Sequence, residues 1–219
     1  MSRIDPCIYL GGQDGAAMSL DTLRSYGITH ILNVTMKMGN HFDDKLTYLR
    51  IQIPDLKGYD ISKHFRAANE FIIKVRLTGG KVLVHCRAGQ SRSATLVIAH
   101  LMMFRKWSLL KAYCHVKECR PVIKPNPGFF NQLRKLELEI NDGKENTMEV
   151  SDLSHGYANE MLATTPLDGG GGGGPRSRRA AERSARRRRS KRFLNREVNK
   201  MFGLKLKVDT SSDMIAKTI

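Results

Sequence analysis

The chain has 219 residues and carries 37 Lys and Arg against 21 Asp and Glu, a formal net charge of +16 that is unevenly held. Residues 1–168 account for +5 of it and residues 169–219, with 15 basic and 4 acidic side chains, for +11. Such a length suits one domain with a substantial core and a tail. No apolar run reaches the roughly twenty residues of a spanning helix, no leader pattern opens the chain, Met1-Ser2 lacks the glycine for myristoylation, and four scattered cysteines make no disulfide framework. The composition therefore excludes membrane-spanning and disulfide-stapled classes and leaves the expectation of a soluble intracellular protein, cytoplasmic, nuclear or both.

In chain order, Cys7 to Leu10 reads as a short strand closed by Gly11-Gly12. Asp14 to Tyr26 has helical spacing (Ala17, Leu20, Leu23, Arg24) and stops at Gly27. His30 to Val34 and Leu46 to Ile53 have strand character, and Ile61 to Leu77 carries apolar residues at helical spacing before Gly79-Gly80. Val82-Leu83-Val84 is a strand that breaks at His85-Cys86, and Ser91 to Arg105 is a largely apolar helix. Ser108 caps a further helix through Lys117, and Gly128 to Ile140 forms the last one after Pro121, Pro125 and Pro127. Strands alternating with helices predict an α/β fold with a mostly parallel central sheet flanked by helices, whose ligands sit at the carboxyl ends of strands.

Cys86 stands at such an end. Five residues separate it from Arg92, among them Gly89, and a loop of this length between strand and helix can turn successive N–H groups inward as a cradle for a tetrahedral anion, with phosphate the obvious guest. Inward amides, a helix N-terminus and a nearby guanidinium all favour the thiolate of Cys86 and make it a nucleophile. The planar fork of Arg92 can hold two phosphoryl oxygens and stabilise transition-state charge, which a lysine would not match. Ser93 can hydrogen-bond the sulfur and ease its departure, and His85 can hold the Cys86 backbone or sulfur in place.

The nonapeptide His85-Cys86-Arg87-Ala88-Gly89-Gln90-Ser91-Arg92-Ser93 resembles the signature of cysteine-dependent protein tyrosine phosphatases, and its Gly-x-Ser-Arg-Ser ending resembles the small, atypical dual-specificity subgroup. The stretch from Arg120-Pro121-Val122-Ile123 to Gln132-Leu133 and the opening Ile8-Tyr9-Leu10-Gly11 and Gly27 to Val34 are similar to the same subgroup, so the resemblance covers about residues 3–142. It implies a cysteine-phosphatase fold and hydrolysis of phosphotyrosine and of phosphoserine or phosphothreonine in proteins through a phosphocysteine intermediate. The phosphate-binding loop is then Arg87, Ala88, Gly89, Gln90, Ser91 and Arg92, with Arg87 itself expected to be solvated. No cofactor and no metal are needed, and the Cys114, His115, Cys119 group does not have zinc-site spacing.

Such an enzyme needs one acid to protonate the departing oxygen and a base to activate water, and one carboxyl can do both. In the resembling family the acid lies in the loop that here contains Pro54-Asp55, so Asp55 is the expected general acid and base, while Asp60 is expected to cap the following helix. Long insertions that bury a phosphotyrosine ring are absent, implying a shallow cleft open to phosphorylated protein substrates. Phosphoinositide and RNA-triphosphate substrates fit less well, because the loop carries no lysines suited to extra phosphates.

Domain organisation is expected to be a catalytic domain over 1–142, a flexible linker over 143–175 that includes six consecutive glycines, and a basic, mostly disordered tail over 176–219. Residues 176–192 hold ten basic side chains and one acid, a run suited to a nuclear import receptor, RNA or anionic lipid. Two other readings stay open: a catalytically weak adaptor that binds phosphoproteins on the same fold, and an RNA-end phosphatase recruited by the basic tail.

Overall fold

A computed structural model describes residues 1–143 and 146–149. The expected polyglycine stretch and basic tail lie outside the described residues. A five-stranded sheet in the order β1-β2-β5-β3-β4 forms the centre, built from β1 (Ser2–Arg3), β2 (Ile8–Gly11), β3 (His30–Asn33), β4 (Thr47–Arg50) and β5 (Val82–His85). All neighbours run parallel except the edge pair β1 and β2, which matches the mostly parallel sheet expected of the fold class. In register, Leu10, Val84 and Leu32 lie side by side, as do Gly11, His85 and Asn33, so β5 is the middle strand and delivers Cys86 to the carboxyl edge.

Alternation along these strands divides the core in two. Leu10, Leu32 and Val84 pack with α3 (Phe65–Leu77), α4 (Arg92–Arg105), α5 (Leu109–Cys119) and α6 (Pro127–Ile140), whereas Tyr9, Ile31 and Leu83 pack with α1 (Gln13–Ala16) and α2 (Leu20–Ser25). Helix α4 is buried along most of its length, because it lies between the sheet and its neighbouring helices; this accounts for its apolar sequence. Its rigid seat fixes the start of the helix, where Arg92 and Ser93 stand.

The single helix expected over Asp14 to Tyr26 is two short ones. Ser19 takes an extended conformation (ψ 152°) and its side chain accepts from Thr22 N, starting α2 afresh. Strand character over Leu46 to Ile53 narrows to Thr47–Arg50, since beyond it the chain turns so that the carbonyl of Ile53 faces Arg92. The helix expected from Ile61 begins as a 3₁₀ turn, Ser62–His64, whose N-cap is Ile61 and which has no side-chain cap; Asp60, expected to cap it, stands one residue earlier and accepts from Ser62 N at 3.0 Å and Ser62 Oγ at 2.6 Å. Packing continues past residue 142: Met148 is buried, Thr147 N donates to Glu137 Oε2 at 2.8 Å, and Arg134 pairs with Glu149.

Candidate active site

The loop after β5 is shaped by where its carbonyls go. Gln13 N donates to the oxygen of Arg87 at 2.9 Å, Arg120 Nη2 to that of Ala88 at 3.1 Å, Arg120 Nε to that of Gly89 at 2.8 Å, and Lys124 N to that of Gln90 at 2.9 Å. In a trans peptide the N–H points opposite to the C=O. Four consecutive carbonyls drawn toward the protein body therefore turn the N–H groups of Ala88, Gly89, Gln90 and Ser91 toward the other side, where the sulfur lies. Gly89 sits at φ +66°, and a Cβ on it would fall 2.4 Å from the backbone of Gly11, so both conformation and space demand glycine.

Cys86 is 1% exposed, and its Sγ accepts from Gly89 N and from Ser93 Oγ, each at 3.2 Å. Ser93 is thus brought to the sulfur as the sequence led one to expect. His85 is buried beneath the loop; burial pushes its imidazole down to about 4, partly offset by a hydrogen bond with the Cys86 backbone. The ring is neutral at physiological pH.

Arg92 leaves the first turn of α4 and donates from Nη1 to the carbonyl of Ile53 at 3.1 Å, with Nε 3.5 Å from Asp55 Oδ2. Asp55 Oδ1 accepts from Ser91 Oγ and from Asn126 Nδ2, both at 2.7 Å. The three expected reactive residues Cys86, Arg92 and Asp55 line one open cavity of about 500 Å³, walled on the far side by Lys124, Pro125, Asn126 and Pro127. Across Arg87 and Arg92 lies a second depression of about 350 Å³, bounded by Gln13 and Thr35–Met38. Arg87 is exposed, in line with a solvated side chain.

Arg120, Asn126 and Gln132 were not singled out by sequence reasoning. All three lie in the Arg120 to Leu133 stretch, but their spacing shows no chemistry; the bonds that tie them to Gly89, Asp55 and Tyr59 span 31, 71 and 73 residues. Cys114 and Cys119 are half-buried on α5 and pack against the larger core. Among the described residues no three His, Cys, Asp or Glu side chains are grouped so as to hold a metal ion, and no helix is long and apolar enough to cross a membrane.

Comparison with known proteins places this geometry. Dual specificity protein phosphatase 19 of Mus musculus is 41% identical over 153 residues, which cover 70% of this chain and 69% of that protein. Protein phosphatase Slingshot homolog 3 of Rattus norvegicus is 40% identical over 133 residues, 61% of this chain and 20% of that protein, so the chain spans about a fifth of the length of this relative. The crystal structure of human DUSP28 superposes with a TM-score of 0.62 at 32% identity, covering 66% of this chain and 100% of that one. The family model for the dual specificity phosphatase catalytic domain matches residues 8–139, more than half of the sequence, and the chain belongs to that family.

Proposed function

We propose that the protein hydrolyses phosphotyrosine and phosphoserine or phosphothreonine in protein substrates through a phosphocysteine intermediate. The observation that carries this reading is the loop in which four successive carbonyls are held by the protein body, so that the N–H groups of the same peptides turn to its inner side, with Gly89 N on the Cys86 sulfur, an arrangement suited to three phosphoryl oxygens above a nucleophile.

In the first step the Cys86 thiolate attacks phosphorus as the bond from phosphorus to the leaving oxygen breaks, and that oxygen takes the proton of the Asp55 carboxyl. In the second, the Asp55 carboxylate takes a proton from water, the water oxygen bonds to phosphorus, and the sulfur leaves as thiolate with a hydrogen bond from Ser93. Loop amides and the Arg92 fork stabilise the charge on the phosphoryl oxygens in both steps. His85, neutral and buried, stands next to Cys86 at the end of β5.

Trapping tests the reading. Cys86→Ser and Asp55→Ala proteins are expected to retain phosphorylated proteins from a cell extract and to release them on addition of vanadate. The unaltered protein is expected to hydrolyse 4-nitrophenyl phosphate in the presence of chelator, and Cys86→Ser to do so at background rate. Recovery of RNA or lipid in place of phosphoproteins would overturn the substrate class; undiminished turnover by Cys86→Ser would overturn the mechanism.

A further inference from the structure

The Asp55 loop is fastened to α6 at three points. Asn126 Nδ2 donates to Asp55 Oδ1 at 2.7 Å; Gly128 lies so close to Lys57 that a Cβ there would fall 1.8 Å from its carbonyl oxygen; Gln132 takes Ile61 N and Ser62 N on Oε1 at 2.8 and 2.9 Å and donates from Nε2 to Tyr59 O at 2.9 Å. The loop that carries the carboxyl is thus registered against the helix N-terminus along its length, and the contact nearest the chemistry is Asn126.

The orientation of the Asn126 amide is settled by its neighbours. Its Oδ1 accepts from Phe129 N at 3.0 Å as the cap of α6, so Nδ2 is the end that faces Asp55. Pro127 follows it and holds it extended, at φ −64° and ψ 154°, which leaves the side chain little choice of direction. Its backbone N donates to Ser91 Oγ at 3.2 Å, and that hydroxyl donates in turn to Asp55 Oδ1 at 2.7 Å. Cap, loop serine and carboxylate form a closed triangle.

We propose that Asn126 is a positioning residue for catalysis, which assigns different tasks to the two oxygens of Asp55. With two donors on Oδ1, both lone pairs of that oxygen are occupied and the transferable proton must reside on Oδ2. Oδ2 is the oxygen 3.5 Å from Arg92 Nε, toward the guanidinium that grips the phosphoryl group. Proton donation then breaks the Oδ2–H bond and forms the bond from hydrogen to the leaving oxygen, while Oδ1 stays tied to the protein. The inference rests on Asp55 being the general acid.

The test uses two substrates that differ in how far the leaving oxygen needs its proton: phenyl phosphate, whose phenol resembles a tyrosine with a pKa of about 10, and 4-nitrophenyl phosphate, whose phenol is far more acidic. Asn126→Ser keeps a capping oxygen for Phe129 but is too short to reach Asp55, and Asn126→Asp keeps the cap while replacing the donor by an acceptor. Both are expected to lose kcat/KM for phenyl phosphate by about tenfold or more, and at least about fivefold less for 4-nitrophenyl phosphate, in the manner of a weakened general acid. For Asn126→Ser, which adds no charge to the cavity, inhibition by tungstate and the thermal midpoint are expected to stay near those of the unaltered protein, which a merely structural role would not allow. Asp55→Asn is measured beside them. If it discriminates between the substrates and the Asn126 variants lose both equally or neither, the positioning role is wrong and the acid assignment stands. If Asp55→Asn itself fails to discriminate, the acid assignment falls and the inference with it.

Discussion

Arg120 reaches from the end of α5 to the phosphate loop and donates to Gly89 O from Nε at 2.8 Å, while its Nη2 takes Ala88 O at 3.1 Å. One guanidinium thereby holds two successive peptide planes with their N–H groups turned toward Cys86. A hydrogen bond from a charged donor contributes about 1.5–3 kcal/mol, so releasing these two carbonyls lets the loop amides swing out of line. Arg120→Met is expected to weaken inhibition by tungstate and to lower kcat/KM about ten- to a hundredfold, since each 1.4 kcal/mol is about a factor of ten. Arg120→Lys is expected to recover little, because a single ammonium cannot serve both oxygens in the same plane. Full oxyanion affinity in Arg120→Met would refute the clamp.

Ser93 and Cys86 meet at 3.2 Å inside the buried base of the loop. A hydroxyl donating to sulfur matters most when the sulfur departs with negative charge. Ser93→Ala is therefore expected to leave phosphoryl transfer to Cys86 nearly intact and to slow breakdown of the phosphocysteine by about tenfold, the worth of one hydrogen bond. Rapid-mixing measurements with 4-nitrophenyl phosphate would show a burst of nitrophenol followed by a slow steady state. A variant that loses the burst itself would place Ser93 in the first step instead.

What could be read in the sequence was what is contiguous in the chain. The strand, turn and helix around Cys86, Gly89 and Arg92 are one local unit, and the backbone demands of an anion cradle leave their mark within nine residues. That Asp60 turns back on the start of the next helix was legible for the same reason, its partner Ser62 being two residues away, though the cap position itself falls to Ile61. The hold of Arg120 on Gly89, of Asn126 on Asp55 and of Gln132 on Tyr59 spans 31, 71 and 73 residues, and such pairs come together only when α5 and α6 pack beside the sheet. Ser19 was illegible for a different reason. Apolar spacing runs through both short helices in phase, so the extended ψ that divides them leaves no gap in the pattern. Strand β1, two residues long, is below what alternation can signal.

Asp5 anchors the N-terminal segment to two helices at once. Its Oδ1 accepts from Cys7 N at 2.7 Å and Ile8 N at 2.9 Å, and Oδ2 pairs with Arg76 of α3 and, at 3.2 Å, with Arg105 of α4. Burial works against the ionised carboxyl, yet the two guanidinium groups and the Cys7 N–H outweigh it and hold its pKa below the usual value. Asp5→Asn keeps the turn acceptor but leaves two inward arginines without their anion, a loss of about 3 kcal/mol for a broken buried pair. Urea unfolding is expected to show a lower midpoint with an unchanged slope, and a midpoint within error of the parent would mean that the arginines find other partners.

Two buried imidazoles make the fold sensitive to acid. Burial pushes His100, which bonds Asn69 Oδ1 through Nδ1 at 2.8 Å and stacks on Phe104, down to about 3, and pushes His85 down to about 4. In the unfolded chain both return to about 6.5. Between these values the unfolded state binds protons that the folded state does not, so stability rises with pH there and falls as pH drops from about 6.5 toward 4. Each histidine contributes a slope of up to about 1.4 kcal/mol per pH unit in the window where only the unfolded form is charged. Asp5 adds to the loss at still lower pH, since its depressed carboxyl stabilises the fold only while ionised. Urea midpoints at pH 7.5, 6 and 5 are expected to fall in that order. His100→Gln, which can still donate an amide N–H toward Asn69 but cannot titrate, is expected to start lower at pH 7.5 and to lose about half as much per pH unit between 6 and 5. Parallel midpoint curves for the two proteins would show that His100 protonates without opposing the folded state.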